Sequence, residues 1–278
     1  MPEPAQHHAP DLADLRAKID RIDADIHELL IARSEIIGNL IAVKGTQASG
    51  SAFRPVREAS IMRRLVDRHR GILPLDAIEG IWRIIIATFT YVQAPYAVHA
   101  DTGTDEAAMR DTARFHFGFT VPLHTYHTAE QAIAAVAASK GDLALVPAAS
   151  GRNAWWTKLE GETAPKIIAR LPFIERPDHP AALPVFAISH PMAEPVPPEV
   201  DLYSLRLSAL PAAEALVPVA PLAQIVATAE DAALIALPHG QPVDAVTQAL
   251  QKLGITVHAS ALVGSHMTGY THARSHTP

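Results

Sequence analysis

The sequence predicts a multidomain chain of α and α/β class. A three-helix unit spans residues 11–94, and α/β regions span 98–190 and 200–265. Three observations predict this. Apolar residues recur at three- and four-residue steps from Leu12 to Val43, the period of a long helix. From Val98 onward short apolar runs alternate with helix-like stretches, the pattern of an α/β fold. Between 190 and 199 the proline-dense run HPMAEPVPPE is unsuited to regular structure and reads as a linker.

The first helix is read over Asp11–Lys44. Leu12, Leu15, Ile19, Ile22, Ile26, Leu29, Ile36, Leu40 and Val43 form its seam, no proline interrupts it, and its one glycine is Gly38. At 1.5 Å per residue the rod is roughly 50 Å long, so its partners must come from another helix hairpin or another chain. Counting by sevens from Leu12 through Ile19 and Ile26 lands on Arg33 before returning to Leu40. A guanidinium in an apolar seam is costly unless an anion meets it. Lys44 lies eleven residues on, within about 20° of Arg33 around the axis, whereas Arg16 is about 100° away and would serve another pocket. The competing reading pairs these cations on the surface with Asp20, Asp23, Glu28 and Glu35.

Gly45–Ser51 is small and polar and reads as a flexible loop. Pro55 suits a first helical turn, so Arg57–His69 reads as a second helix, broken by Gly71 and Pro74. Leu75–Gln93 reads as a third, with Ile78, Ile81, Trp82, Ile85, Ile86 and Phe89 on one face and Gln93 continuing it. Helices of such unequal length make a poor monomeric core, so residues 11–94 are expected to be one half of an intertwined dimer.

Composition sets limits. The 278 residues carry a net charge of −6, which argues against nucleic acid or an anionic membrane surface as partner. No run of 18 apolar residues occurs, and residues 1–10, expected to be disordered, lack the basic start and apolar core of a signal peptide. There are no cysteines, so disulfides, thiolate catalysis and cysteine-based zinc sites are excluded. The fifteen histidines show no HExxH or paired-carboxylate spacing, and no metal or cofactor is expected. A cytoplasmic protein is expected.

Leu15-Arg16, Ile22-Asp23, Leu29-Leu30 with Arg33, Lys44, Arg57-Glu58 and Gln93 after Trp82-Arg83-Ile84-Ile85 form an ordered string. On this string, residues 11–94 closely resemble the all-helical chorismate mutases. The resemblance implies an intertwined homodimer with two pockets, each taking Arg33, Lys44, Arg57, Glu58 and Gln93 from one chain and Arg16 from the other. It implies conversion of chorismate to prephenate by a concerted rearrangement without cofactor. Such a reaction needs a compact conformer of a dicarboxylate and donors aimed at the breaking ether bond. Arg16 and Arg33 would bind the carboxylates, Lys44 and Gln93 would donate to the ether oxygen, Glu58 would hold the substrate hydroxyl, and Arg57 would orient Glu58 or the loop. Arg54 and Phe89 depart from the family pattern at the pocket's rim.

In the second half, strand-like runs fall at Leu143–Val146, Lys166–Leu171, Leu183–Ile188, Leu202–Leu207, Ala232–Leu237 and Ile255–Leu262, with helix-like stretches at Glu106–Phe117, Ala129–Ser139 and Val243–Leu253. Gly103-Thr104, Thr128-Ala129-Glu130 and the run Lys140–Pro147 make residues 98–190 resemble a degraded first lobe of prephenate dehydratase. Where that family continues with a Glu-Asn-Ser signature this chain has Ala148-Ala149-Ser150. Its Thr-Arg-Phe signature is reduced to Pro184-Val185-Phe186. Loss of dehydratase activity is expected, although Ser150 and Arg152 could still bind a small carboxylate. Residues 200–265 are similar in element order to the regulatory, ligand-binding domain that follows the dehydratase in such fusions. The alternative is a segment completing one α/β domain. Residues 266–278 are expected to be a flexible tail. Trp155-Trp156 is expected to plug a core on one side and face solvent or a partner on the other.

Alternatives to a mutase with an inactive appendage are a bifunctional mutase–dehydratase, a helical isochorismate lyase and a non-enzymatic helical dimer with an effector-binding domain. Glu58 and Gln93 together favour the mutase over the lyase, and Arg33 in the seam argues against a pure dimerisation helix.

Overall fold

The computed structural model describes residues 11–44, 52–149, 151–176, 178–191, 196–211 and 223–271. Residues 1–10, the loop 45–51 and the tail beyond 271 lie outside the described residues. The chain divides into two compact units, residues 1–46 and 47–278.

The first unit is helix α1, Leu12–Lys44, 33 residues without a break. Its seam is uncovered in the single chain: Ile22 is 55%, Leu29 70% and Ile36 66% exposed.

The second unit begins with α2 (Pro55–Arg68) and α3 (Leu75–Gln93). Pro55 opens α2, where its missing N–H leaves no bond unmade. Helix α2 buries Val56, Ala59, Met62, Leu65 and Val66 along one stripe. Helix α3 buries a different stripe from the apolar face read in the sequence: Glu79, Arg83, Ile86, Ala87 and Thr90 point inward. Of the expected face only Ile86 is buried, Ile81 is 47% exposed, and Ile78, Trp82, Ile85 and Phe89 are partly covered. The helix is apolar nearly all round, so the period alone did not decide which face meets the core.

Strands β1 (Val98–Asp101), β2 (Leu123–Tyr126), β3 (Leu143–Pro147), β4 (Lys166–Leu171) and β6 (Val185–Ser189) follow, with a short β5 (Ile174–Glu175) before β6. Helix α4 (Glu106–Phe117) follows β1, and α5 (Ala129–Ala137) follows β2. Asp105 caps α4 by accepting from Ala108 N–H, and Thr128 caps α5 by accepting from Gln131 N–H. The chain continues with β7 (Val200–Leu207), β8 (Gln224–Ala229), β9 (Ala232–Pro238), α6 (Asp244–Lys252), β10 (Val257–His266) and β11 (Tyr270–Thr271).

Nine strands form one sheet in the order β2-β1-β3-β6-β4-β10-β7-β9-β8, and β11 pairs with β5. The divide expected near 190–199 therefore does not interrupt the sheet. Strand β10 returns to lie parallel to β4 and antiparallel to β7, joining what the sequence reading had separated. The joint is made at Gly264, opposite Ile167. Its φ is +153°, and a Cβ there would stand 2.2 Å from the Ile167 carbonyl oxygen. Strands β9 and β10 are both antiparallel to β7, which lies between them, so β9–α6–β10 is a split βαβ unit. The expected tail is partly structured: His266 ends β10, and Tyr270–Thr271 pairs with Ile174–Glu175.

Both faces of the central strands are covered, which explains their unbroken apolar runs. Leu143 and Leu145 join Phe53, Met62, Leu65 and Ile86 on one side, so α2 and α3 share a core with the sheet. Ala144 and Val146 face Ile133, Val136 and the two tryptophans on the other. Trp155 and Trp156 are both fully buried, with no face left for solvent or a partner. Helix α6 covers Leu205, Ile235 and Leu237 with Val246 and Leu250.

Candidate active site

Arg16 and Arg33 lie on α1, both exposed. Lys44 is the last residue of that helix, and its side chain lies outside the described residues. On the second unit, Arg57 is exposed and Gln93 is half-buried, its Nε2 donating to the Phe89 carbonyl at 3.0 Å. Arg54, read as a rim departure, is the N-cap residue of α2 without a side-chain cap.

Glu58 is 3% exposed and faces away from Arg57. Its Oε2 accepts from Arg83 Nη2 at 2.7 Å. Burial pushes its carboxyl above the ordinary range, and the Arg83 charge and hydrogen bond pull against that. The cation that holds Glu58 is therefore Arg83 rather than Arg57, because the inward stripe of α3 brings Arg83 to the buried side of α2. Arg83 also donates to the His116 carbonyl at 3.4 Å and lies over the Phe173 ring.

An ionic row, buried at Glu79 and open to solvent at Asp76, continues along α3. Arg176 pairs with Glu79 at 2.5 Å and with Asp76 at 3.4 Å, and Asp76 meets His179 at 2.8 Å. Burial raises Glu79 to about 7 despite the Arg176 and Arg83 charges. Burial, with Arg83, His179 and Arg176 nearby, holds His116 well below its ordinary value, so it stays neutral. Sequence reasoning missed this row. The available signal was Asp76, Glu79 and Arg83 at i, i+3 and i+7, one helical face.

In the α/β region, Ala148, Ala149 and Pro184, read as the places of the lost dehydratase signatures, line one cleft of about 690 Å³. Arg170, Glu175, Glu199, His266 and Thr268 line it too. Its charges are already matched: Arg170 meets Glu175 at 2.5 Å, and Arg63 of α2 meets both Glu199 oxygens at 3.0 Å. Bonds from Arg63 and Thr268 outweigh burial and bring Glu199 down to about 2. Ser150 lies outside the described residues, and Arg152 donates to the Gly103 carbonyl at 2.8 Å.

Comparisons with known proteins agree on the N-terminal part. Residues 15–94 match the family described as chorismate mutase type II. A bifunctional chorismate mutase/prephenate dehydratase of Neisseria gonorrhoeae is 32% identical over 113 residues, 41% of this chain and 29% of that protein. Its namesake from Pseudomonas aeruginosa is 26% identical over 141 residues, 49% of this chain and 38% of that protein. The chain thus spans only about a third of these relatives' length. A match of 141 residues is too long for the helical segment alone and extends into the α/β region. Among solved structures, prephenate dehydratase from Streptococcus mutans gives a TM-score of 0.33 at 15% identity, over 61% of this chain and 97% of that one. GqqA, a quorum quenching acylase, gives 0.38 at 14% identity, over 63% and 95%. Residues 15–94 thus match the chorismate mutase type II family, and the α/β region that follows resembles part of the bifunctional mutase–dehydratases.

Proposed function

We propose that the chain is a cytoplasmic chorismate mutase that converts chorismate to prephenate as a homodimer with shared pockets. The family match over residues 15–94 is the observation that carries the activity. The uncovered seam of α1 supports the dimer, since an apolar face of that length calls for a partner helix. Arg33 and Lys44 of one chain and Arg16 of the other, with Arg57, Glu58 and Gln93, take the roles the family resemblance gives them. Glu58 has a rival role, because its carboxylate is committed to Arg83 in the free chain. Glu58→Gln is expected to cost stability first; a fall in kcat/KM with unchanged unfolding would instead place Glu58 on substrate.

The shared pocket is tested by complementation. Inactive Arg16→Ala chains mixed with inactive Lys44→Ala chains should regain turnover, because one pocket of each heterodimer then carries neither change. No recovery after verified subunit exchange overturns the shared site.

The α/β region is proposed not to dehydrate prephenate. Expelling hydroxide and carbon dioxide needs an acid near the leaving hydroxyl and cations on the carboxylates. The cleft offers Ala148, Ala149 and Pro184 where the resemblance puts those groups, and its arginine is already paired. The names of the relatives favour a second reading, bifunctionality. Product analysis at neutral pH separates the two: prephenate should accumulate from chorismate, with phenylpyruvate appearing only after acid treatment. Enzyme-dependent phenylpyruvate at neutral pH would establish the second reading.

A further inference from the structure

A second cavity, of about 510 Å³, lies where the start of α2 meets the joint of the sheet. This is within the size range of small-molecule sites, roughly 300–1,000 Å³. Phe53, Val56, Ile168, Pro197 and Leu262 give it apolar walls. The polar lining is Lys166, His190, His239, Ser265 and His266, and no carboxylate of the described residues lines it.

Four of these polar groups, Lys166, His239, Ser265 and His266, are prearranged. The Lys166 ammonium donates to the Leu159 carbonyl at 2.5 Å and the Gly161 carbonyl at 2.9 Å. Among the described residues it forms no ion pair: Glu160 acts on it only at a distance and is itself paired with Arg206, so the third N–H of the ammonium remains to be used. Asp201, beneath the cavity, accepts from His239 Nδ1 at 2.9 Å, Gly240 N at 3.0 Å and Ser265 Oγ at 2.7 Å. These bonds outweigh its burial and hold it below the ordinary carboxyl range. Its negative charge is thus saturated, and it fixes the proton of His239 on Nδ1, leaving Nε2 on the opposite edge of the ring. His266 Nδ1 donates to the Met267 carbonyl at 2.8 Å, and burial keeps the ring neutral, so its Nε2 is an acceptor.

A cationic head group in a chamber whose described lining is largely apolar and holds no carboxylate selects an anionic complement. We propose that this cavity binds a small monocarboxylate with an apolar body, the carboxylate on Lys166, and that its occupancy is felt by the mutase through Phe53 and Val56. Those residues precede and enter the first turn of α2, which carries Arg57 and Glu58. The coupling rests on the mutase reading; the binding does not.

Calorimetric titration of the full chain with octanoate and with 3-phenylpropionate tests the site and separates an aliphatic from an aromatic occupant. At least one acid should bind, with the matching alcohol about tenfold weaker and the matching amine not bound. Lys166→Met should weaken the acid by about tenfold or more. Because that change also removes two carbonyl contacts, Ile168→Trp serves as a second variant: it fills the chamber, touches none of the polar groups and should abolish binding. Binding of neither acid, equal binding of the amine, or full binding by Ile168→Trp overturns the site. Saturating acid should change kcat/KM for chorismate by about twofold or more in the native chain and not in Ile168→Trp. Turnover indifferent to bound acid overturns the coupling. Binding without any turnover, ligand or none, sustains the site and overturns the mutase reading instead.

Discussion

Helix α1 and the pair α2–α3 belong to one family segment, yet their apolar faces meet different surroundings. The seam of α1 is open: its leucines and isoleucines are mostly more than half exposed. Helices α2 and α3 bury Met62, Leu65, Val66 and Ile86 in a core shared with β1, β3, β4 and β6. The difference teaches that the family segment is not a self-contained domain in this chain. Two of its helices are part of the α/β body, and the third leaves its apolar face exposed.

Removing residues 98–278 should break this comparison most completely. Met62, Leu65, Val66 and Ile86 each gain about 1.5–3 kcal/mol from burial, and losing that cover matches the whole stability of an ordinary domain. The truncated chain is expected to lose cooperative unfolding in circular dichroism; a folded, active fragment would show that the helical segment stands alone. The next effect is at the buried ion pair. Arg83→Met leaves the Glu58 carboxylate buried without its cation, an expected cost of about 3–5 kcal/mol in urea unfolding. Adding Glu58→Gln to it should recover much of the loss. On α1 the expected effects are functional. Lys44→Ala should lower kcat by about 10²–10³, some 3–4 kcal/mol, with unfolding unchanged. Ile26→Asp, in the middle of the seam, should convert dimer to monomer in light scattering and leave the thermal transition of the second unit in place.

The smallest effect concerns the clamp that ties α2 to the entry of β7. The Glu199 carboxyl is depressed to about 2, so its contribution is present above its ordinary value of 4.5 and is lost as pH falls from there toward 2. The pair is partly exposed, and about 1 kcal/mol or less is expected. Arg63→Gln should lower stability by that amount at pH 7 and by less at pH 2, where Glu199 is partly protonated and chiefly the bonds to Thr268 are lost.

Much of the element order was legible in the sequence because it rests on period and punctuation. The 33 residues of α1 follow from apolar spacing, and Glu106–Phe117 was legible as a helix-like stretch. Strands β3 and β4 follow from short apolar runs. Strands β1, β2 and β8 were not read: VHAD and LHTY carry polar residues, and QIVATA is the last strand of the sheet among the described residues. The single sheet was also hidden, since the β4–β10 contact at Gly264 depends on a close approach of backbones that no local pattern encodes. Of the proposed site, Arg33 stood out by breaking an apolar seam. Arg83 did not, because it sits within an apolar run whose inward stripe could be told only from what the helix packs upon.

The place of β10 in the sheet has a consequence for synthesis. Strand β4 emerges from the ribosome with one edge unpaired, and the strand that covers it arrives roughly ninety residues later. At roughly 5–20 residues per second the edge stays open for about 5–20 s. An open strand edge is a template for other chains. A side chain at position 264 would meet the Ile167 backbone and oppose closure of the joint, so the length of that exposed interval depends on a position that carries no Cβ.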